Sequence, residues 1–308
     1  MRALVVSNML PDPGHPERGR FVRDQVTALR RLDGVEVELH EFPPGPRALL
    51  AAGRELRSRY RHKPKLDIVH AHFGLTAWPA LAVPARVRGL TMHGTDLADP
   101  RTRLATRAVL GRIDLPAAVS AELAERIPGP AARRARVLPC GVDVERFQPI
   151  SREQARLELG LPVERRFLLF PADPARAEKR HDRAVAVANQ TGAELIALGS
   201  TDPERMPLWI NAANAVLVPS EREGFGLAVL EALACDVPVL ATPVGIHPEA
   251  LDGLPGALCA PFELDAWANG ASEHLGSPDP RIAGRERAAR FSSGAMAEAV
   301  LAAWRQLL

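Results

Sequence analysis

Short apolar runs alternate with longer helix-period segments along most of the chain, and this alternation restricts its fold more than any other feature. Residues 3–7 and 167–170 are apolar at every position but Ser7, too short for helices and bounded by turn residues. That is the pattern of parallel strands covered on both faces by crossover helices, so the chain is predicted to be α/β. Further strands are expected at residues 35–39, 68–71, 89–92 and 117–120, and a second series at 194–198, 215–218, 237–241 and 256–259. Helices are predicted over residues 21–32, where Phe21, Val22, Val26 and Leu29 share a face, and over about 47–60, 180–191, 226–234 and 284–308.

At about 150 residues per domain, 308 residues make two domains, here residues 1–150 and 151–283. Two α/β halves joined near residues 149–165 would enclose a cleft, and open parallel sheets bind ligands at the carboxyl ends of their strands. The formal charge of +2 hides an asymmetry. Residues 1–150 hold 24 basic and 16 acidic side chains, and the remainder 15 and 21, so the halves face different chemistry or each other. Without a long basic tract, no nucleic-acid partner is expected. Cys140, Cys235 and Cys259 are odd in number and form no CxxC pair, which fits a reducing cytoplasm. Neither an export signal nor a run of about 18 apolar residues is found, so a cytoplasmic chain is expected.

The densest chemical signal is Ser220-Glu221-Arg222-Glu223-Gly224-Phe225-Gly226-Leu227-Ala228-Val229-Leu230-Glu231. A strand ends at Pro219, glycines flank Phe225, and a strong helix-forming run begins. Backbone N–H groups at a helix start attract anions and glycine lets a ligand reach the main chain, so the segment suits a phosphate or diphosphate. Glu223, ahead of the helix, and Glu231, eight residues later, are placed to accept hydrogen bonds from neutral hydroxyls. A sugar at one end and a ribose at the other would fit. Lys179 stands out as well, being one of three lysines among 39 basic residues and the only one in the second half.

Glu223 and Glu231 within Glu-Gly-Phe-Gly-Leu-Ala-Val-Leu-Glu-Ala resemble the signature of the retaining nucleotide-sugar glycosyltransferases of GT-B fold, specifically glycosyltransferase family 4. The run from Leu138 to Phe147 resembles the family's interdomain segment. Asp67-Ile68-Val69-His70-Ala71-His72 and Met92-His93-Gly94-Thr95-Asp96 resemble its acceptor-domain loops, and Gly19 to Gln25 its first loop and helix. Matched segments extend from residue 11 to residue 249. The resemblance implies two Rossmann-like domains facing across a cleft, an acceptor domain followed by a donor domain shortened at residues 199–211. It also implies that the last helix, 284–308, returns to the N-terminal domain.

Roles follow from the same resemblance. Glu223 would contact the donor sugar, the backbone of Gly224, Phe225, Gly226 and Leu227 the sugar or diphosphate, and Glu231 the ribose. Lys179 would neutralise the diphosphate leaving group. The glycine and arginine that normally precede this lysine read Asp173 and Pro174, so Arg176 or Arg180 is expected to supply the second charge. The family's interdomain Asn reads Cys140, and its Asp before a buried strand reads Asn214. His93 would hydrogen-bond the transferred sugar and steady positive charge at the anomeric centre through its backbone carbonyl, with no carboxylate nucleophile. His72 is the acceptor-side candidate, with a satisfied structural histidine as the alternative, and His70 is expected on the opposite side of the strand. Gly19 would let its backbone approach the diphosphate, assisted by Arg20.

No Asp-x-Asp pair is present, so neither metal nor other cofactor is expected, and Lys179, an arginine and a helix N-terminus take up the charge. Residues 167–171 and 198–200 would border the base, which leaves UDP-sugar and GDP-sugar both open. Arg54, Arg57 and Arg61 recur at helical spacing among Leu49, Leu50, Leu56 and Tyr60. This suits anionic lipid or a lipid-linked acceptor at the inner membrane face, or else a plain solvated helix. The expected function is retaining transfer of a sugar to a carbohydrate or lipid-linked hydroxyl acceptor. The rival readings are a nucleotide-sugar epimerase or hydrolase-like enzyme and a non-catalytic sugar-nucleotide-binding protein.

Overall fold

Every strand expected from the apolar runs forms, all in parallel pairing, in a computed structural model that describes residues 1–199 and 201–308. The chain divides into two units, Met1–Gly141 with Ser293–Leu308, and Val142–Ser292.

The first unit holds β1 (Arg2–Ser7), β2 (Glu36–Glu41), β3 (Leu66–His72), β4 (Ala85–Met92), β5 (Leu115–Ala118) and β6 (Arg136–Val137), in the order β2-β1-β3-β4-β5-β6. After Arg2, all of β1 is buried, as a strand covered on both faces must be. On one face the helix Arg20–Arg30 contributes Val22, Val26 and Leu29, and the helix Ser293–Arg305 adds Met296, Val300 and Trp304 against Ala3, Val5, Ile68 and Val87. Fully burying each of the large apolar side chains is worth about 1.5–3 kcal/mol.

The second unit holds β7 (Phe167–Phe170), β8 (Glu194–Ala197), β9 (Ala215–Val218), β10 (Val239–Ala241) and β11 (Leu258–Cys259), in the order β11-β10-β9-β7-β8. Leu168, Phe170, Leu217 and Leu240 pack with Val187, Trp267 and Leu275 of the covering helices. Arg156 is fully buried here. It donates to the carbonyls of Ala212 (2.9 Å), Arg165 (2.7 Å) and Val163, and to Asn214 Oδ1 (3.0 Å). Burial, with Arg152 nearby, pulls its guanidinium down to about 10.

Two expectations change. The expected boundary at residue 150 moves to Gly141, because the backbone of residues 142–150 is held by the second unit. Arg285 donates to the carbonyls of Phe147 (2.8 Å) and Val144 (2.7 Å), and the Asn211 amide binds Ile150 N (3.1 Å) and Gln148 O (2.9 Å). The expected last helix over 284–308 is in fact two. Arg285–Ala289 stays with the second unit, its start tied to Asp236 Oδ1 by the N–H groups of Gly284 (3.0 Å) and Arg285 (2.7 Å), and only Ser293–Arg305 returns to the first.

Candidate active site

In the second unit β9 runs into Pro219 and Ser220, and the chain turns through residues 221–226 before the helix Leu227–Ala234 begins. Gly226 sits at φ 107°, a left-handed backbone that side chains resist, and a Cβ there would lie 2.4 Å from His247 Nε2. Gly245 supports the turn from the other side. A Cβ on it would lie 2.4 Å from the Phe225 carbonyl, which accepts the N–H of Ile246 at 2.8 Å. These close approaches require glycine and shape the start of the helix.

The turn brings together the residues expected to hold a donor. Lys179, on the turn Ala177–Lys179 after β7, places Nζ 2.7 Å from both oxygens of Glu223, and Ser220 Oγ donates to Glu223 Oε1 at 2.8 Å. Both partners are largely covered, with side chains 14% and 8% exposed, so removing either one strands a charge away from water and costs more than breaking a surface ion pair. Glu231 lies in the second turn of the helix, half-buried. Arg176 is exposed and binds Glu178 at 2.8 Å. Arg180 binds Asp182 at 2.6 Å and Glu221. Both arginines therefore reach the neighbourhood already paired with carboxylates. Residues 167–170 form β7 beside this loop, Leu198 is buried, and Ser200 lies outside the described residues.

In the first unit, β4 ends at Met92 and His93 follows at its carboxyl end. The buried Asp96 carboxylate accepts the N–H of His93 (3.1 Å) and of Gly94 (2.8 Å), and the 3.3 Å contact from Gly74 N adds a third. Burial nevertheless pushes this carboxyl upward. His72 is 1% exposed and uses both nitrogens within the protein, Nε2 on Gln25 Oε1 (2.7 Å) and Nδ1 on His93 Nε2 (3.0 Å). Neither ring nitrogen of His72 is left over for a ligand.

The expectation that His70 and His72 oppose each other is overturned. Residues two apart in a strand share a face, and the two rings lie 5.3 Å apart. Burial depresses all three rings, His70 to about 4, His93 to about 3 with help from His70, and His72 well below its ordinary value.

Gly19 caps the helix Arg20–Arg30 at φ 69°. A Cβ there would strike the Met9 carbonyl at 2.3 Å, so this glycine is needed for the turn whatever else approaches it. Arg20 Nε binds Asp24 at 2.9 Å. On the helix Pro46–Tyr60, Leu56 and Tyr60 are buried while Arg54, Arg57 and Arg61 stay exposed. The apolar stripe is thus committed to the core, leaving Leu50 as the exposed apolar residue among those expected to meet lipid. No helix among the described residues is long and apolar enough to cross a membrane.

Sequence reasoning missed three residues. Gln25 binds the histidine row from the first helix and Trp304 from the last, and His247 backs the loop before the helix Leu227–Ala234, its Nδ1 on Thr242 O at 2.8 Å. Their partners lie up to 234 residues away, and no local pattern encodes that.

Residues 5–146 match the family described as Glycosyltransferase Family 4, and residues 164–277 match Glycosyl transferases group 1. The D-inositol 3-phosphate glycosyltransferase of Actinosynnema mirum is 33% identical over 85% of this chain and 78% of its own. That of Mycobacterium avium is 32% identical over 82% and 73%. Among solved structures, sucrose-phosphate synthase from Thermosynechococcus elongatus superimposes with a TM-score of 0.77 at 21% identity, covering 100% of this chain and 99% of that one. Anabaena HepE in complex with UDP and glucose gives 0.72 at 17% identity, covering 99% of each. These two share the GT-B fold of paired Rossmann-like domains. With the Glu223 loop, the Lys179 contact and matched segments across both units, the chain belongs to the family 4 glycosyltransferases.

Proposed function

We propose that this glycosyltransferase takes a sugar from a nucleoside diphosphate sugar and passes it to a hydroxyl acceptor with retention of anomeric configuration, without a divalent cation. The observation that carries the reading is Lys179 Nζ at 2.7 Å from both Glu223 oxygens, beside the start of the helix Leu227–Ala234. A cation and a helix N-terminus at one point are what a departing diphosphate needs. Binding of the diphosphate draws Lys179 toward phosphate and frees the Glu223 carboxylate for sugar hydroxyls. Glu231 takes the ribose. In the first unit His93, fixed through its backbone N–H by Asp96, lends its carbonyl to the positive charge that develops at the anomeric carbon as the leaving group departs.

The acceptor is proposed to be a polyol or sugar hydroxyl, in line with the inositol phosphate named for the relatives and with the basic character of residues 1–150. UDP is the favoured nucleotide, since the structural neighbour HepE holds UDP and glucose. Purified protein incubated with UDP-, GDP- or ADP-sugars and D-inositol 3-phosphate, with and without EDTA, tests this by release of nucleoside diphosphate and by the anomeric coupling of the product. Acceptor-dependent release that survives EDTA and yields the donor's anomer is expected. Release that ignores the acceptor points to a hydrolase, and no release with any pairing rejects the proposal.

A further inference from the structure

The histidines of the first unit form a hydrogen-bonded row whose protons are ordered from one end. Gln25 directs Nε2 at the Met296 sulfur (3.4 Å), and a thioether accepts but cannot donate, so the amide NH2 belongs there. The oxygen Oε1 is then the group 2.7 Å from His72 Nε2, and an amide oxygen only accepts. His72 must carry its proton on Nε2. A neutral imidazole has one N–H, so His72 Nδ1 is an acceptor, and the 3.0 Å contact to His93 Nε2 places a proton on that nitrogen. His93 is left with a lone pair on Nδ1, for which no hydrogen bond is found among the described residues.

A parallel arrangement fixes His70. Trp304 Nε1 donates to His70 Nδ1 at 2.8 Å, so His70 Nε2 carries the proton and donates to Thr91 Oγ1 at 2.7 Å. His70 and His72 are each 1% exposed and Gln25 5%, and burial keeps the rings neutral, which the ordering requires. Phe21 packs against His93, ring centroids 4.8 Å apart, limiting rotation of the imidazole.

We propose that Gln25 and His72 are positioning residues that hold His93 as its Nε2–H tautomer, so that His93 offers Nδ1 as an acceptor and selects a substrate hydroxyl that donates to it. The functional half of this inference rests on the transferase reading, and the tautomer itself does not. His93 reversed would present an N–H and would favour an acceptor atom instead. The order is thus a chemical filter set about three side chains deep, starting at a residue that touches no substrate.

Long-range 1H–15N NMR of the full chain labelled with 15N-histidine, without substrate at pH 7.5, reads the tautomers directly. His70, His72 and His93 are all expected to be protonated at Nε2, and a His93 protonated at Nδ1 overturns the proposal. The near-isosteric Gln25→Met, with folding checked by circular dichroism, is expected to give His93 a mixed-tautomer spectrum and to lower kcat about tenfold while donor KM stays within about twofold. Wild-type kcat with an unchanged His93 spectrum also overturns it. A chain that shows the expected tautomers yet turns over no nucleotide sugar refutes the transferase reading alone.

Discussion

Lys179 Nζ stands 2.7 Å from each carboxylate oxygen of Glu223, a contact that links two loops of the second unit across 44 residues of sequence. A cation held so evenly by one carboxylate is pre-positioned and charge-balanced before any ligand arrives. On the proposed function, the contact that steadies this loop is the one a diphosphate must compete with.

Lys179→Met is therefore expected to act on both stability and turnover. Removing one member of a covered ion pair leaves Glu223 with the Ser220 hydroxyl as its side-chain hydrogen-bond partner among the described residues, at a cost of about 3 kcal/mol in urea unfolding. Loss of charge at the leaving group is expected to lower kcat about 100-fold or more. Steady-state kinetics beside the unfolding curve checks both, and a variant with full turnover would remove Lys179 from the reaction.

Asn214→Asp is expected to stabilise the protein. Arg156 is a buried cation whose four hydrogen-bond acceptors are all neutral oxygens, Asn214 Oδ1 among them. A carboxylate at this position keeps the bonds to Arg156 and Phe167 N and adds opposite charge, but loses donation to His274 O. A net gain of about 1 kcal/mol follows from charge-assisted bonds replacing neutral ones. A lower urea midpoint in the variant would show that the clash with His274 O dominates.

Gly226→Ala combines a Cβ 2.4 Å from His247 Nε2 with a φ of 107°. A loss of about 2 kcal/mol is expected, together with weaker donor binding. Adding His247→Ala clears the collision and leaves the backbone strain, so the double variant should recover part of the loss. Full recovery would mean that the left-handed backbone costs nothing here; none would mean that the imidazole yields freely.

Stability is expected to fall on acidification. His70 and His93 have folded values of about 4 and about 3, and His72 is also lowered, against about 6.5 in the unfolded chain. Below pH 6.5 the unfolded chain binds protons that the folded one refuses, so the contribution is complete above 6.5 and is lost toward pH 4. The slope reaches about 1.4 kcal/mol per pH unit for each ring. Urea unfolding at pH 7, 6 and 5 measures it, and His70→Gln should flatten the curve; a profile already flat in the wild type contradicts the neutral row.

Much of this fold was legible because its strands are short segments rich in apolar residues and bounded by turn signals, and ten of the eleven strands among the described residues announce themselves that way. The exception, β6 at Arg136–Val137, is two exposed residues with no apolar run to read. The segment around Glu223 was equally open to reading, since its glycines and glutamates, and Lys179 as the single lysine of the second half, are local signals. The histidine row was not. Its order depends on Gln25 and Met296, 271 residues apart, and on Trp304, and side-chain pairing at that distance leaves no trace in spacing. Two departures from the family pattern are absorbed differently: Asn214 is woven into the Arg156 cluster, while Cys140 is buried with its thiol pushed up to about 12.

The second unit begins at Val142 and ends at Ser292, and these two residues form a bridge, with Val142 N donating to Phe291 O at 2.9 Å. Residues 142–292 are thus an insertion whose two ends are already fastened together, and the first unit is one sheet domain completed by a segment encoded after the insertion. A tethered pair of ends is the condition under which a whole domain can be exchanged. Recombination between relatives would then replace the second unit as one cassette, cut at Gly141 and Ser293, while the helix that carries Trp304 stays with the His70 it binds.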